Sequence, residues 1–236
     1  IAMVTDVTER NAYENELKAL AFRDPGTDLY NRRYFLEHME GTINHVNRMH
    51  SAIGLVLIDM DDFSKVNNEY GHLAGDKSIR DFAEKINDVF SRKTDVVARY
   101  GGDEFVVVGL EFSSKDECRA EAQALADRIL LILKERYSVE LHQLFISASI
   151  GVSLVSGKNN DASRLIKEAD IAMYEAKEKG RDGVIVFDEE MEKRVEYNLE
   201  IEQLLHFSIE KDEVSLVYQP QLNEQGEIVG AEALVR

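Results

Sequence analysis

Residues 53–60, IGLVLIDM, limit the possible folds more than any other stretch of this chain. The run is short, rich in β-formers and apolar on both of its faces. A strand with that pattern needs a packed layer on each side, so it belongs at the centre of a sheet rather than on a half-solvated surface. The neighbouring segments supply the layers. Asn31 is placed to cap a helix whose apolar residues Phe35, Met39, Ile43 and Val46 recur at helical spacing. Ile79, Phe82, Ala83, Ile86, Val89 and Phe90 mark a second amphipathic helix. The stretch 95–110 reads as two strand arms around Gly101-Gly102-Asp103, a hairpin signal. A long helix over roughly 114–137, a strand at 144–155, a helix over 162–179 and a short strand at 183–187 follow.

Helices alternating with a mainly antiparallel sheet predict an α/β (α+β) sandwich of ferredoxin-like type, with helices flanking a central sheet. The boundaries read as a strand end and a mostly polar helix over 1–22, the main domain over 23–188, a charged linker helix over 189–211 and two strands of a further domain over 212–236. The chain opens at Ile1 without Met, which reads as a piece of a longer protein.

Composition narrows the function. A net charge of −17 argues against a nucleic-acid-binding surface, which would repel the phosphate backbone. It leaves nucleotides open, because metal ions can bring positive charge to a phosphate site in an acidic protein. The longest apolar run, 52–58, is too short to span a bilayer. The single cysteine, Cys118, leaves no intramolecular disulfide and fits a cytoplasmic setting; in its charged stretch it reads as an ordinary residue.

The chemistry concentrates at two places. Asp59, Asp61 and Asp62 stand where the apolar strand ends, and the end of a buried strand holds a carboxylate rigidly, as a metal site requires. Taken alone, the triplet reads better as a solvated acidic turn. The hairpin tip Gly101-Gly102-Asp103-Glu104 changes that balance: two glycines let a phosphate or ribose approach the backbone, and two carboxylates follow at once. If the hairpin pairs beside 53–58, Asp59 and Asp103 meet at one sheet edge, where they suit two-metal chemistry.

Arg99-Tyr100-Gly101-Gly102-Asp103-Glu104-Phe105 is the RYGGDEF signature, and here the chain resembles the GGDEF family, the diguanylate cyclases. The likeness runs from about 22 to 188 and includes IDMDDFSKVNNEYGHLAGD (58–76), SASIGV (147–152) and ADIAMYEAKEKGRD (169–182). It implies a nucleotidyl-cyclase palm-like fold and condensation of two GTP molecules into cyclic di-GMP and pyrophosphate. Asp59, the Met60 carbonyl, Asp103 and Glu104 would bind Mg²⁺ (or Mn²⁺), with Glu104 helping to deprotonate the 3′-hydroxyl. Backbone N–H groups of Asp62, Phe63 and Ser64 would receive phosphates at a helix start. Lys177 and Arg181 match the phosphate-contacting basic pair; four apart, they would share a helix face. Asn67 and Asp76 match the guanine-reading pair. Arg92 and Asp95 match the RxxD site at which bound cyclic di-GMP inhibits synthesis. Two subunits would face each other as a homodimer.

The resemblance has departures. In Asp24-Pro25-Gly26-Thr27-Asp28-Leu29, Gly26 replaces a usual leucine and Asp28 a usual glycine, so the turn is open to displacement. Ser64 stands where a lysine is usual, with Lys65 adjacent. Residues 6–10 resemble the exit of a PAS sensor domain. Residues 217–220 and 232–236 resemble the opening of an EAL phosphodiesterase domain, in which Glu232 would be one Mg²⁺ ligand. Two other readings stand beside an active cyclase: a GTP-binding module that regulates an adjoining EAL domain, and a dimerising spacer.

Overall fold

The computed structural model describes residues 20–90, 95–109, 112–133, 137–139, 142–144, 146–156, 161–211 and 214–236. The expected helix over 8–22 falls inside these bounds only at 20–22, which are helical. The PAS-like exit lies outside the described residues.

Strand β2, Ala52–Met60, is buried at all nine positions. It is interior, pairing antiparallel with β4 (Glu104–Val108) on one side and β7 (Ala148–Ser156) on the other. β3 (Val96–Gly101) pairs antiparallel with β4, completing the expected hairpin. Two parallel strands close the sheet: β1, Tyr30–Asn31, along β3, and β8, Gly183–Val186, along β7. The order is β1-β3-β4-β2-β7-β8.

The twofold repeat of a strand divides β2 between two cores. Val56, Ile58 and Met60 pack with α3 (His72–Val89) and α4 (Lys115–Leu133). Ile53, Leu55 and Leu57 pack with α1 (Arg32–Met49) and α5 (Ala162–Glu178). The expectation of helices flanking a mainly antiparallel sheet is met, with a helical layer on each face. Asn31 caps α1, its side chain accepting from the Tyr34 N–H at 3.0 Å, and the buried residues of the helix are Phe35, Met39, Ile43 and Val46, as their spacing implied. Cys118 lies on the buried face of α4 and is fully enclosed, so its charged neighbours in sequence do not describe its surroundings.

β7 shows why α5 approaches the sheet so closely. Its alternate positions Ser149, Gly151 and Ser153 are small, while Ala148, Ile150, Val152 and Leu154 join the core on the opposite face. A Cβ on Gly151 would lie 2.0 Å from the Ala169 carbonyl oxygen and 2.4 Å from the Met173 nitrogen, both backbone atoms of α5. The Ser153 hydroxyl donates to the Leu165 carbonyl at 2.7 Å, fixing the same helix.

Two details differ from the sequence reading. The strand expected at 144–155 begins at Ala148, and a separate short hairpin, β5 (Tyr137–Val139) with β6 (His142–Leu144), precedes it. β1 was not foreseen, since two residues carry no periodicity. The chain divides into one unit ending at Met191 and a second, Glu192–Arg236. The second contains most of α6 (Glu189–Glu210) and the antiparallel pair β9 (Leu216–Leu222) and β10 (Ile228–Val235). Among the described residues no helix is long and apolar enough to cross a membrane.

Candidate active site

The site forms where β2 ends. Asp59 stands in register with Glu104 of β4 and with Ser149 of β7. The next backbone N–H, of Met60, donates to the Asp103 carbonyl at 3.2 Å and ties the hairpin tip to the strand end. Asp59 and Asp103 are thus brought together, but not at a lateral edge of the sheet: β2 is interior, so they meet at the end of its strands.

A cavity of about 220 Å³ opens there, lined by Asp59, Met60, Asp61, Asp62, Phe63, Ser64, Asp103, Lys177 and Arg181. Every one of these except Asp61 was given an individual role from the sequence. Lys177 Nζ lies 2.8 Å from Asp59 Oδ2. Arg181 reaches the cavity by a different route from the one expected. α5 ends at Glu178, and Arg181 sits in the following turn with φ 65°, between Gly180 at 112° and Asp182 at 45°. The basic pair therefore shares a cavity without sharing a helix face. α2 (Phe63–Tyr70) begins at the cavity wall with no side chain capping its N-terminus, and the Lys65 N–H of its first turn donates to the Asp62 carbonyl at 2.8 Å. Asp62 precedes it with a left-handed φ of 54°, and its carboxylate takes Lys65 at 2.8 Å.

The electrostatics are those of crowded acids. Burial raises the Asp59 carboxyl above its ordinary range; Lys177 opposes this, while Asp103 and Asp61 add to it. Burial, then Asp59, Asp170 and Asp103, raise Glu104 likewise. Asp62, in contrast, is held low, chiefly by Lys65. A hard divalent cation suits such a site: it would relieve the repulsion that Lys177 alone leaves, and the donors are all oxygens. Among the described residues no three acidic, His or Cys side chains stand close enough to enclose a metal by themselves.

Neither Asn67 nor Asp76 lines this cavity. Asn67, on α2, is packed onto Gly75 of α3, where a Cβ would come 2.0 Å from its Oδ1. Asp76 lines a separate cavity of about 300 Å³ with Pro25, Gly26, Ile79, Arg80 and Arg99. The altered turn borders the same space. Asp28 adopts φ 58°, a conformation easier for the usual glycine, and the turn is closed by Asp28 N–H to the Asp24 carbonyl and Asp24 N–H to the Leu29 carbonyl, each at 2.8 Å. Asp24 Oδ1 holds Arg99 at 3.1 Å, and Arg99 donates to the Gly102 carbonyl at 3.0 and 2.8 Å, linking this turn to the hairpin tip. Burial works against the Asp24 anion, but hydrogen bonds from Thr27 and Arg99 outweigh it and keep the carboxyl low. Asp95 immediately precedes β3, whereas Arg92 lies outside the described residues.

The sequence reading missed three parts of the site. Asp61 was read only as one of an acidic triplet, yet it is buried and bonded to Ser147, Ser149 and the backbone of Asp182. The Asp24–Arg99 pair and the left-handed turn at 180–182 gave no local signal beyond Gly180.

Residues 21–183 match the family described as diguanylate cyclase, GGDEF domain. The chain is 37% identical over 232 residues to a protein named cyclic di-GMP phosphodiesterase PdeR from Escherichia coli (strain K12), a match covering 98% of this chain and 34% of that one. It is 34% identical over 222 residues to a protein named bifunctional diguanylate cyclase/cyclic di-GMP phosphodiesterase MucR from Pseudomonas aeruginosa, covering 94% and 32% respectively. The chain thus spans about a third of the length of these relatives. Among solved structures, the GGDEF domain of YfiN from Pseudomonas aeruginosa superposes with a TM-score of 0.62 at 29% identity, covering 68% of this chain and 97% of that one. The coiled coil and GGDEF domain of DgcB from Caulobacter crescentus, solved with c-di-GMP, gives 0.70 at 22% identity over 76% and 93%, a likeness of fold. The chain belongs to the GGDEF domain family, which is related to the diguanylate cyclases.

Proposed function

We propose that residues 23–188 form a diguanylate cyclase that condenses two GTP molecules into cyclic di-GMP. The observation that carries this reading is the cavity at the end of β2, which gathers four acidic side chains, a helix start and two basic side chains from three separate stretches of chain. Asp59, Asp103 and the Met60 carbonyl would hold Mg²⁺ or Mn²⁺, with Glu104 beside them; the ion, when bound, neutralises triphosphate charge and stabilises the leaving pyrophosphate. The N–H groups of Asp62, Phe63 and Ser64 donate to phosphate oxygens at the start of α2. Lys177 exchanges its partner Asp59 for phosphate as nucleotide enters, and Arg181 flanks it. Asn67 and Asp76 read the guanine. Glu104, already raised in pKa by its surroundings, is suited to take the 3′-hydroxyl proton.

One subunit binds one GTP, so two copies must face each other for each 3′-hydroxyl to attack the other α-phosphate. No covalent intermediate on the protein is needed, and positioning supplies most of the catalysis. Arg92 and Asp95 serve as an inhibitory site for cyclic di-GMP. The β9–β10 hairpin, with Glu232 on β10, begins an EAL domain.

A second reading is a GTP-binding regulatory module attached to a phosphodiesterase, and the likeness to PdeR favours it. Incubation with GTP and Mg²⁺, with products separated by chromatography, decides between them. Cyclic di-GMP from the parent chain and none from Asp103→Ala supports the cyclase. Nucleotide binding without product, even after forced dimerisation, refutes it in favour of the regulatory module.

A further inference from the structure

Asp61 lines the same cavity as the proposed metal ligands, but its carboxylate is already committed. Oδ1 accepts from the Ser149 hydroxyl at 2.6 Å. Oδ2 accepts from the Ser147 hydroxyl at 2.6 Å and from the Asp182 backbone N–H at 3.0 Å. Its own N–H donates to the Ser147 carbonyl at 2.9 Å, so main chain and side chain grip the start of β7 together. The residue is 8% exposed.

The bond to Asp182 matters because of where it falls. Arg181 and Asp182 both hold the left-handed backbone that non-glycine residues resist. A pair of such residues persists only when anchors on either side over-determine the turn. One anchor is the end of α5: Arg181 N–H donates to the Ala176 carbonyl at 3.0 Å. The other is the Asp61 carboxylate, one residue later. Arg181 is bracketed between them, with its Nε 3.9 Å from Asp62 Oδ1 at the cavity wall.

We infer that Asp61 is a positioning residue, which sets Arg181 at the phosphate end of the cavity by capping the strained turn at 180–182. The inference rests on the GTP reading above. It assigns the three neighbouring aspartates different tasks: Asp59 would hold the metal, Asp62 precedes the proposed phosphate-binding helix start, and Asp61 acts on Arg181 through the turn.

The test combines two measurements on the full chain. The first is amide hydrogen exchange of the unmutated protein without ligand: the Asp182 N–H is protected as strongly as amides of β7, although it lies in a loop. Exchange at the rate of an exposed turn overturns the inference. The second is binding of the α,β-methylene analogue of GTP with Mg²⁺ in a double-mutant cycle. Asp61→Ala and Arg181→Ala each weaken binding by about tenfold, and the double variant by no more than Arg181→Ala alone, as expected for one residue acting through another. Asp61→Asn, in which Ser149 can reverse its hydroxyl and still bond, stays within about threefold. If Asp61→Ala does not fold, Asp61→Ser, too short to reach Asp182, takes its place. Additive losses in the cycle, with normal binding by the parent, overturn this inference and leave the GTP reading intact. No nucleotide binding by the parent overturns both.

Discussion

Replacing Gly151 by alanine should be among the most damaging single-methyl additions this domain can suffer. A Cβ at that site would stand 2.0 Å from the Ala169 carbonyl oxygen, 2.4 Å from the Met173 nitrogen and 2.8 Å from the Met173 Cβ. The first two are backbone atoms in mid-helix, so no rotamer change relieves the overlap. α5 must retreat from β7 by about 1 Å, opening contacts along Leu165, Ala169 and Met173 as it goes. Overpacking of this kind costs about 3 kcal/mol, which for a chain of this length lowers Tm by about 9 °C. Thermal melts followed by circular dichroism measure it, with Gly41→Ala as the matched control. Gly41 is inside α1 and an added Cβ meets nothing within 4 Å, so the same chemical change should stabilise by about 0.5–1 kcal/mol through helix propensity alone. Because α5 carries Lys177, Gly151→Ala should also weaken GTP binding. A Tm within about 2 °C of the parent would refute the claim that sheet and helix touch backbone to backbone here.

Asn31→Ala removes the α1 cap and two donations from Nδ2, to the Ala21 and Arg23 carbonyls at 3.0 and 3.3 Å; denaturant unfolding should show a loss of about 2 kcal/mol. Burial and the neighbouring carboxylates raise the Glu104 carboxyl on folding, so its favourable contribution is present below the ordinary carboxylate pKa and lost as pH rises through the raised one. Glu104→Gln should therefore raise the Tm of nucleotide-free protein at neutral pH, by roughly 2 °C given its partial exposure, with the gain vanishing in acid. Burial pushes the Cys118 thiol up to about 12; a thiol reagent at neutral pH should label it only at the rate of unfolding, and rapid labelling of native protein would contradict its enclosure.

Most of the fold was readable because its elements follow simple periods. β2 declares itself by being apolar on both faces, α1 by its Asn31 cap and four evenly spaced core residues, and the β3–β4 hairpin by paired glycines. The site was readable where short motifs lie wholly within one segment, as in 59–64 and 101–104. It was not readable where partners are distant. Asp61 looks like its exposed neighbour Asp62, and only the arrival of Ser147, Ser149 and Asp182 makes it a buried strut. Arg181 was expected to share a helix face with Lys177, although the helix was read as ending at 179, because spacing alone cannot show how Gly180 turns the chain. The tolerance of Asp28 for a glycine conformation likewise depends on bonds closed at Asp24 and Leu29.

The contacts of Asp61 also bear on the order in which the domain can be assembled. Its hydrogen-bond partners lie 86, 88 and 121 residues further along the chain. During synthesis the Asp61 carboxylate must therefore wait, hydrated and without these partners, until almost the whole domain has left the ribosome. Closing such long loops is entropically costly and slow. The floor of the cavity is consequently among the last parts to set, after the hairpin that carries Asp103, and a nascent chain halted before residue 182 would hold the acidic residues with no fixed place for Arg181.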